Sequence, residues 1–403
     1  MRIQGEPDRI PSRIMTNHLN SRIRGKPEHT VYSVEFIRFA AAFTVIIWHY
    51  QFFFFPPAAR FPGFHRLLPF YPLSEIFYSF GAYAVQLFWV LSGYIFFLNY
   101  HDLLASNKIS GYTFFVRRIA RLYPLNVLTL MAVAALQIGF LLDFHERYWH
   151  YDVDLSFHTF ITHLFFASNW FNTEYTFNGP IWSVSVEVFI YIFFFMLTKY
   201  VGFQGSLKTT LIAAAAIIAY YSVSQNKHHG TLPWITQCLA CFYIGGLVYY
   251  LEKHRAMLSL NRKKQVTFYC LILFSILVTS YLKINYAAYF YIPAAILFLA
   301  ITSRNLNRFR VVMNLSWLGN LTYGSYLLHF PVALLIIIGV KAIGINLNIA
   351  YSPVFLVVYV LAVFGISIIT YQYFENPARR AIRNAATKLY SYFAGRNSES
   401  ASG

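Results

Sequence analysis

Ten apolar stretches follow one another along the chain, each about as long as a hydrocarbon core is thick. They run over about 33–55, 76–98, 122–142, 180–200, 208–225, 232–251, 266–282, 285–302, 318–340 and 352–374. The segment 156–171, SFHTFITHLFFASNWF, is shorter and more polar, and reads as an interfacial helix rather than a span. Polar, basic segments at 1–32 and 381–403 read as flexible cytoplasmic tails around one domain at 33–380. No apolar run follows the start, so no cleavable signal peptide is expected. The pattern predicts an all-α polytopic membrane protein, a bundle of about ten transmembrane helices.

Composition agrees. The 403 residues are 58% hydrophobic, 20% aromatic and only 12% charged. A soluble protein cannot hide that much apolar surface. Intrinsic disorder, a coiled coil and a secreted disulfide scaffold are excluded on the same ground. Cys238, Cys241 and Cys270 lie in apolar runs without the further ligands a zinc site needs, so they read as packing residues, and no metal is expected.

The formal charge of +17 would suggest nucleic acid in a soluble chain. In a membrane protein, Lys and Arg collect in cytoplasmic loops. With the N-terminus inside, the outer segments hold only Arg60, Arg66, Arg147, Lys227, Lys283 and Lys341, and Arg38 lies within the first span. The other 25 of 32 basic residues fall inside, which puts both termini in the cytoplasm and removes the case for nucleic acid.

Ionisable residues inside spans are costly and therefore candidates for function. The first span carries Glu35, Arg38 and His49. Arg38 and His49 are eleven residues apart, which puts them about 20° from one face and roughly 16 Å apart along the axis. A snorkelling Arg and a satisfied core His are the plain alternative. The second span carries Gln86, Ser92 and Gly93, where Gly93 suits close helix packing. FFVRRIARLYP follows, and its Arg117, Arg118 and Arg121 suit either a phosphorylated ligand or simple positive-inside anchoring. The fourth span opens NGPIWSVSVE, bringing Asn178, Trp182, Ser183, Ser185 and Glu187 in from the outer side. A carboxylate there needs a partner, and His49 is expected at similar depth, where Glu187 would orient the imidazole; a structural buried pair is the alternative. LTYGSYLLHFP in the ninth span carries Tyr323, Ser325, Tyr326 and His329 before a kinking Pro331; His329 is either a second site residue or a core histidine. His145, His150, His158 and His163 stand among Asp143, Glu146, Asp152 and Asp154 without metal-ligand spacing, and read as a solvated surface facing the acceptor.

These pieces, in this order, resemble the membrane-bound acyltransferase-3 family, which includes bacterial O-acetyltransferases of cell-surface glycans and Nod factors. The resemblance rests on Arg38 and His49, LFWVLSGY, RRIARLYP, GPIWSVSVE, YGSYLLHFP and FENPAR with Glu375 and Pro377, and covers nearly all of 33–380. One departure is FWVLSGY, where the family usually has two Phe before the Val. The resemblance implies a multi-pass enzyme of a bacterial inner membrane. It would move an acyl group, usually acetyl, from cytoplasmic acyl-coenzyme A to a hydroxyl of a carbohydrate-containing acceptor, with no permanently bound cofactor. His49 would be the catalytic centre, and Arg38 would support it or contact the donor; Glu187 joins them as a catalytic candidate on the reading of the residues above. Arg117, Arg118 and Arg121 would hold the donor's phosphates. Asn178, Trp182, Ser183, Ser185, Tyr326 and His329 would face the acceptor. A neutral imidazole suits removal of a hydroxyl proton. The rival class is a transporter or flippase for a lipid-linked glycan, which predicts internal repeats that the sequence does not show.

Overall fold

A computed structural model describes residues 32–54, 63–144, 154–202, 205–225, 230–255, 262–282, 287–302 and 309–400. The N-terminal tail up to residue 31, Arg60, Arg147, Lys227, Lys283 and the loop residues His145, Glu146, His150 and Asp152 lie outside them. The described residues are mostly helical, with one isolated β-bridge between Asp154 and Thr176.

In chain order the helices are α1 Tyr32–Tyr50, α2 Tyr71–Phe80, α3 Ala84–Phe96, α4 Gly111–Phe144, α5 Phe157–Leu164, α6 Ile181–Met196 and α7 Ser206–Ser224. Then follow α8 Leu232–Arg255, α9 Arg262–Tyr281, α10 Ile292–Thr302, α11 Thr322–Ala342, α12 Pro353–Thr370 and α13 Asn376–Ser400. Among the described residues, seven helical runs are long and apolar enough to cross a membrane: Tyr71–Ala105, Gly111–Phe140, Ile181–Val201, Ser206–Ser224, Leu232–His254, Arg310–Ala342 and Pro353–Tyr392. The other three expected spans are helical too. The two around 266–302 are short in their apolar part, over Tyr269–Thr279 and Tyr289–Thr302. The first, α1, carries Glu35, Arg38 and His49 among its 19 residues. The segment at 156–171 contains only the eight-residue α5, too short to span.

Two expectations are corrected. FFVRRIARLYP is not a loop: α4 begins at Gly111 and runs through it, with Pro124 inside the helix. The segment from 381 is not a flexible tail but part of α13, which packs along α4. Tyr112 Oη donates to the Ala386 carbonyl at 2.9 Å, and the Tyr112 and Tyr390 rings stack 5.8 Å apart. Composition alone hid this, because a basic, polar segment can still bury one face against a neighbour.

In lipid, helices associate through close packing rather than hydrophobic burial. α3 and α8 meet where Gly93 lies against the Phe242 carbonyl and Gly245 against the Val90 carbonyl; a Cβ at either place would enter the opposite backbone. This is the packing role expected of Gly93. Around the seam Trp89, Phe96, Phe194 and Phe242 form the main core. Cys238 and Cys241 are buried there as free thiols. A second cluster, with Ile46, Tyr50, Tyr359 and Val363, joins α1 to α12. A third, with Leu130, Val133 and Leu334, joins α4 to α11. α1 is thus held between the bundle halves, with His49 at one end and Arg38 at the other.

Candidate functional site

At the His49 end of α1 lies a cavity of about 550 Å³. Its wall includes Trp48 and His49 of α1, Gln86 of α3, Trp182 of α6, Trp234 and Gln237 of α8, and Tyr326 of α11. Trp182 packs on Trp234 with ring centroids 5.1 Å apart and edge-on to Trp89 at 5.8 Å. The Gln86 and Gln237 amides meet at 3.2 Å. The volume suits a sugar-sized group, and flat aromatic faces beside neutral amides are surfaces on which such a group can stack and hydrogen-bond.

The His49 ring is set by its own helix. Its Nδ1 lies 2.9 Å from the Val45 carbonyl one turn earlier. A carbonyl only accepts, so Nδ1 carries the proton of the neutral ring and Nε2 carries the lone pair. Trp48 stands edge-on to it at 4.7 Å. On another side lies His329, its ring centroid 4.7 Å from that of His49. His329 is 1% exposed; its Nδ1 faces the Ser325 carbonyl at 3.3 Å, and its Nε2 has no hydrogen-bond partner among the described residues.

The expected acceptor residues separate into two groups. Trp182 and Tyr326 line the cavity. Ser183 bonds the Tyr326 hydroxyl at 2.7 Å, and Tyr326 also donates to the Pro180 carbonyl at 3.0 Å, so Ser183 positions the wall. His329 supports His49 and is not itself part of the wall. Ser185 accepts from the Asn169 backbone N–H at 3.1 Å, which fastens the loop before α6. Asn178 is buried and donates through Nδ2 to the Leu327 carbonyl at 3.1 Å. That carbonyl needs a side-chain donor because Pro331, four residues on, has no N–H to offer it. Ser185, Asn178 and His329 are therefore structural supports, where the sequence suggested acceptor contacts. The wall residues Trp48, Gln86, Trp234 and Gln237 were not among those expected; polar Gln86 and Gln237 inside apolar runs were the available signal.

Glu187 does not meet His49. It accepts from Tyr191 Oη at 2.6 Å and from Ser92, and the charges acting on it are Arg118 and Arg38. It lies one and a half turns into α6, on the side of the bundle that holds the Arg38 end of α1. There Arg38 Nη1 contacts both Glu35 oxygens, at 2.9 and 3.1 Å. Arg121 is in the field of Glu375, Glu35, Arg38 and Arg118. Arg118 donates to Tyr100 Oη at 2.6 Å, with its guanidinium over the Tyr100 and Phe96 rings. Glu375 is 2% exposed. Three guanidiniums and three carboxylates so balance one another within the bundle, which is the condition for burying them. Gly319, before α11, lies against Glu35, and a Cβ there would collide with its carboxylate and backbone.

The expected solvated histidine surface is partly wrong. His163 is 0% exposed, with Nδ1 2.9 Å from Thr176 Oγ1, and burial pushes its pKa down to about 3. Burial also raises the Tyr175 phenol. Tyr175, Thr176 and Phe177 line the cavity, so His163 anchors one of its walls.

An acyltransferase domain model of the acyltransferase-3 family matches residues 31–372. That match takes in α1 to α12, the cavity and the charged cluster apart from Glu375. No curated protein and no solved structure gives a significant match. The chain belongs to the acyltransferase-3 family and is a multi-pass membrane acyltransferase.

Proposed function

We propose that the enzyme transfers an acyl group, most simply acetyl, from acyl-coenzyme A to a hydroxyl of a carbohydrate-containing acceptor such as an exopolysaccharide, O-antigen or lipo-oligosaccharide. The donor enters at the Arg38 end of α1, where Arg117, Arg118 and Arg121 meet its phosphates. The acceptor occupies the cavity at the His49 end. Both termini would be cytoplasmic, in the inner membrane of a bacterium. The observation that carries the reading is His49 on the wall of an aromatic cavity, with Nδ1 held by Val45 and the lone pair therefore on Nε2.

In direct transfer, Nε2 takes the acceptor hydroxyl proton as that oxygen attacks the thioester carbonyl. The C–O bond forms, the C–S bond breaks, and the imidazolium returns the proton to the departing thiolate. In the relay form, Nε2 first attacks the thioester: the C–N bond forms, the C–S bond breaks, and the thiolate leaves with the ring's Nδ1 proton. The acceptor oxygen then attacks the acyl carbon, the C–N bond breaks, and the hydroxyl proton returns to the ring. The rise of roughly 16 Å between Arg38 and His49 suits a donor whose long arm carries the thioester from one region to the other.

The test is purified protein in nanodiscs with radiolabelled acetyl-coenzyme A and a panel of free and lipid-linked sugars. Label should move to at least one sugar, and an acetylated protein formed without acceptor would mark the relay. Wild type that binds no coenzyme A and labels no sugar contradicts the reading.

A further inference from the structure

Helix α13 lies beyond the family match, and its first turns carry Arg379, Arg380 and Arg383. Its register on α4 is antiparallel. Ala386 and Tyr390 meet Tyr112, Arg383 is in the field of Arg117 and Arg118, and Glu375, just ahead of α13, is in the field of Arg121. As numbers rise along α13 they fall along α4. The seam therefore sets Arg379 and Arg383 across from Arg117 and Arg118.

The groups acting on Arg383 include the guanidiniums of Arg379, Arg117 and Arg118 and the Tyr100 phenol, with no carboxylate among them. Its Nε is buried and has no hydrogen-bond partner among the described residues. Arg379 spends one Nη2 contact on Asn376, at 2.6 Å. One turn away, Arg38 and Arg121 are balanced by Glu35 and Glu375. Arg117 and Arg383 thus add positive charge at this seam beyond the balanced cluster, while Arg379 also acts on Glu375. Gathering guanidiniums at a half-buried helix seam is unfavourable unless an anion joins them, and their planar forks match phosphate oxygens.

We propose that Arg379 and Arg383 of α13, with Arg117 and Arg118 of α4, bind the phosphate groups of the acyl-coenzyme A donor. Coenzyme A carries a diphosphate and a 3′-phosphate, enough anionic oxygen to engage guanidiniums from both helices. This rests on the donor assigned above. The C-terminal helix is then part of the donor site, and the site extends past the family-wide domain. A lipid phosphate offers the same chemistry, so the test must separate the two sources.

Binding of coenzyme A and of 3′-dephospho-coenzyme A is measured by calorimetry on the full chain in neutral detergent free of anionic lipid, and again in nanodiscs with phosphatidylglycerol. The proteins are wild type, Arg379→Gln, Arg383→Gln and Arg383→Lys, each checked for an unchanged melting temperature. Loss of a charged hydrogen bond predicts coenzyme A binding weaker by about tenfold or more in Arg383→Gln and Arg379→Gln. Arg383→Lys should recover part of it. The preference for coenzyme A over the dephospho form should shrink in the Gln variants, in detergent as in nanodiscs. Unchanged affinity and unchanged preference overturn the proposal, as does a loss confined to phosphatidylglycerol nanodiscs, which would mark a lipid site. If a Gln variant melts early, Arg383→Lys decides: reduced preference at wild-type stability supports the site, and full preference overturns it. Wild type that binds no coenzyme A removes the donor assignment itself, a result distinct from variants that bind like wild type.

Discussion

The imidazoles of His49 and His329 pack 4.7 Å apart at 47°, each with Nδ1 on the carbonyl one turn earlier in its own helix. On two separate helices a backbone carbonyl thus fixes the ring, with the proton of the neutral imidazole on Nδ1 and the lone pair on Nε2. His329 acts through His49, as a positioning residue. His329→Phe keeps an aromatic ring, slightly larger, and removes both ring nitrogens. It should leave folding intact and lower kcat by about tenfold to a hundredfold with KM for the donor little changed. The pH profile of kcat should also change shape. A normal profile at normal kcat would reduce His329 to a space-filler.

Glu187 belongs with Tyr191, Ser92 and the arginines. Glu187→Gln removes a carboxylate that balances Arg118 and Arg38. The expected result is a raised KM for acyl-coenzyme A or lower stability, with the acid limb of the kcat profile unmoved. A shifted acid limb would restore Glu187 as the partner of His49.

Asn178 and Pro331 form a compensating pair through the Leu327 carbonyl. Asn178→Ala leaves that buried acceptor unsatisfied, at a cost of about 1–3 kcal/mol. Pro331→Ala gives the helix its own N–H for the same carbonyl. Asn178→Ala should therefore cost less in the Pro331→Ala background, with a coupling of about 0.5 kcal/mol or more. Denaturation in detergent of the four proteins measures it, and simple additivity would refute the pairing.

His163 makes the cavity wall sensitive to acid. Its folded pKa of about 3 lies below the ordinary 6.5, so between those values the unfolded segment binds a proton that the folded one does not. Stability is fully present above pH 6.5 and falls by at most about 1.4 kcal/mol per pH unit below it. Hydrogen exchange of residues 157–177 should therefore rise between pH 6.5 and 4.5 in wild type and rise less in His163→Gln. Equal pH dependence in both proteins would contradict this.

Much of the bundle is legible in the sequence because apolar length alone decides where a helix can stand in lipid. The helices at 180–200, 232–251 and 352–374 fall where the apolar runs lie. Residues in one helix are equally legible: Arg38 and His49 share α1, so helical geometry fixes their separation. Relations between helices are not. Glu187 and His49 were expected to meet because both lie near an outer helix end, but depth and rotation of α6 against α1 depend on packing at Trp89, Trp182 and Tyr191. The helix at α13 was missed for a related reason. Its contacts, Tyr112 with Ala386 and Tyr390, join segments more than 250 residues apart, and nothing local marks them.

The central claim is that His49 carries the transfer. The direct measurement is the rate of labelled acetyl transfer to whichever panel sugar wild type acetylates, comparing wild type with His49→Ala at equal amounts of inserted protein. The account predicts that the variant inserts and still binds coenzyme A, but transfers about 10²- to 10⁴-fold more slowly. Transfer by His49→Ala at the wild-type rate would contradict it.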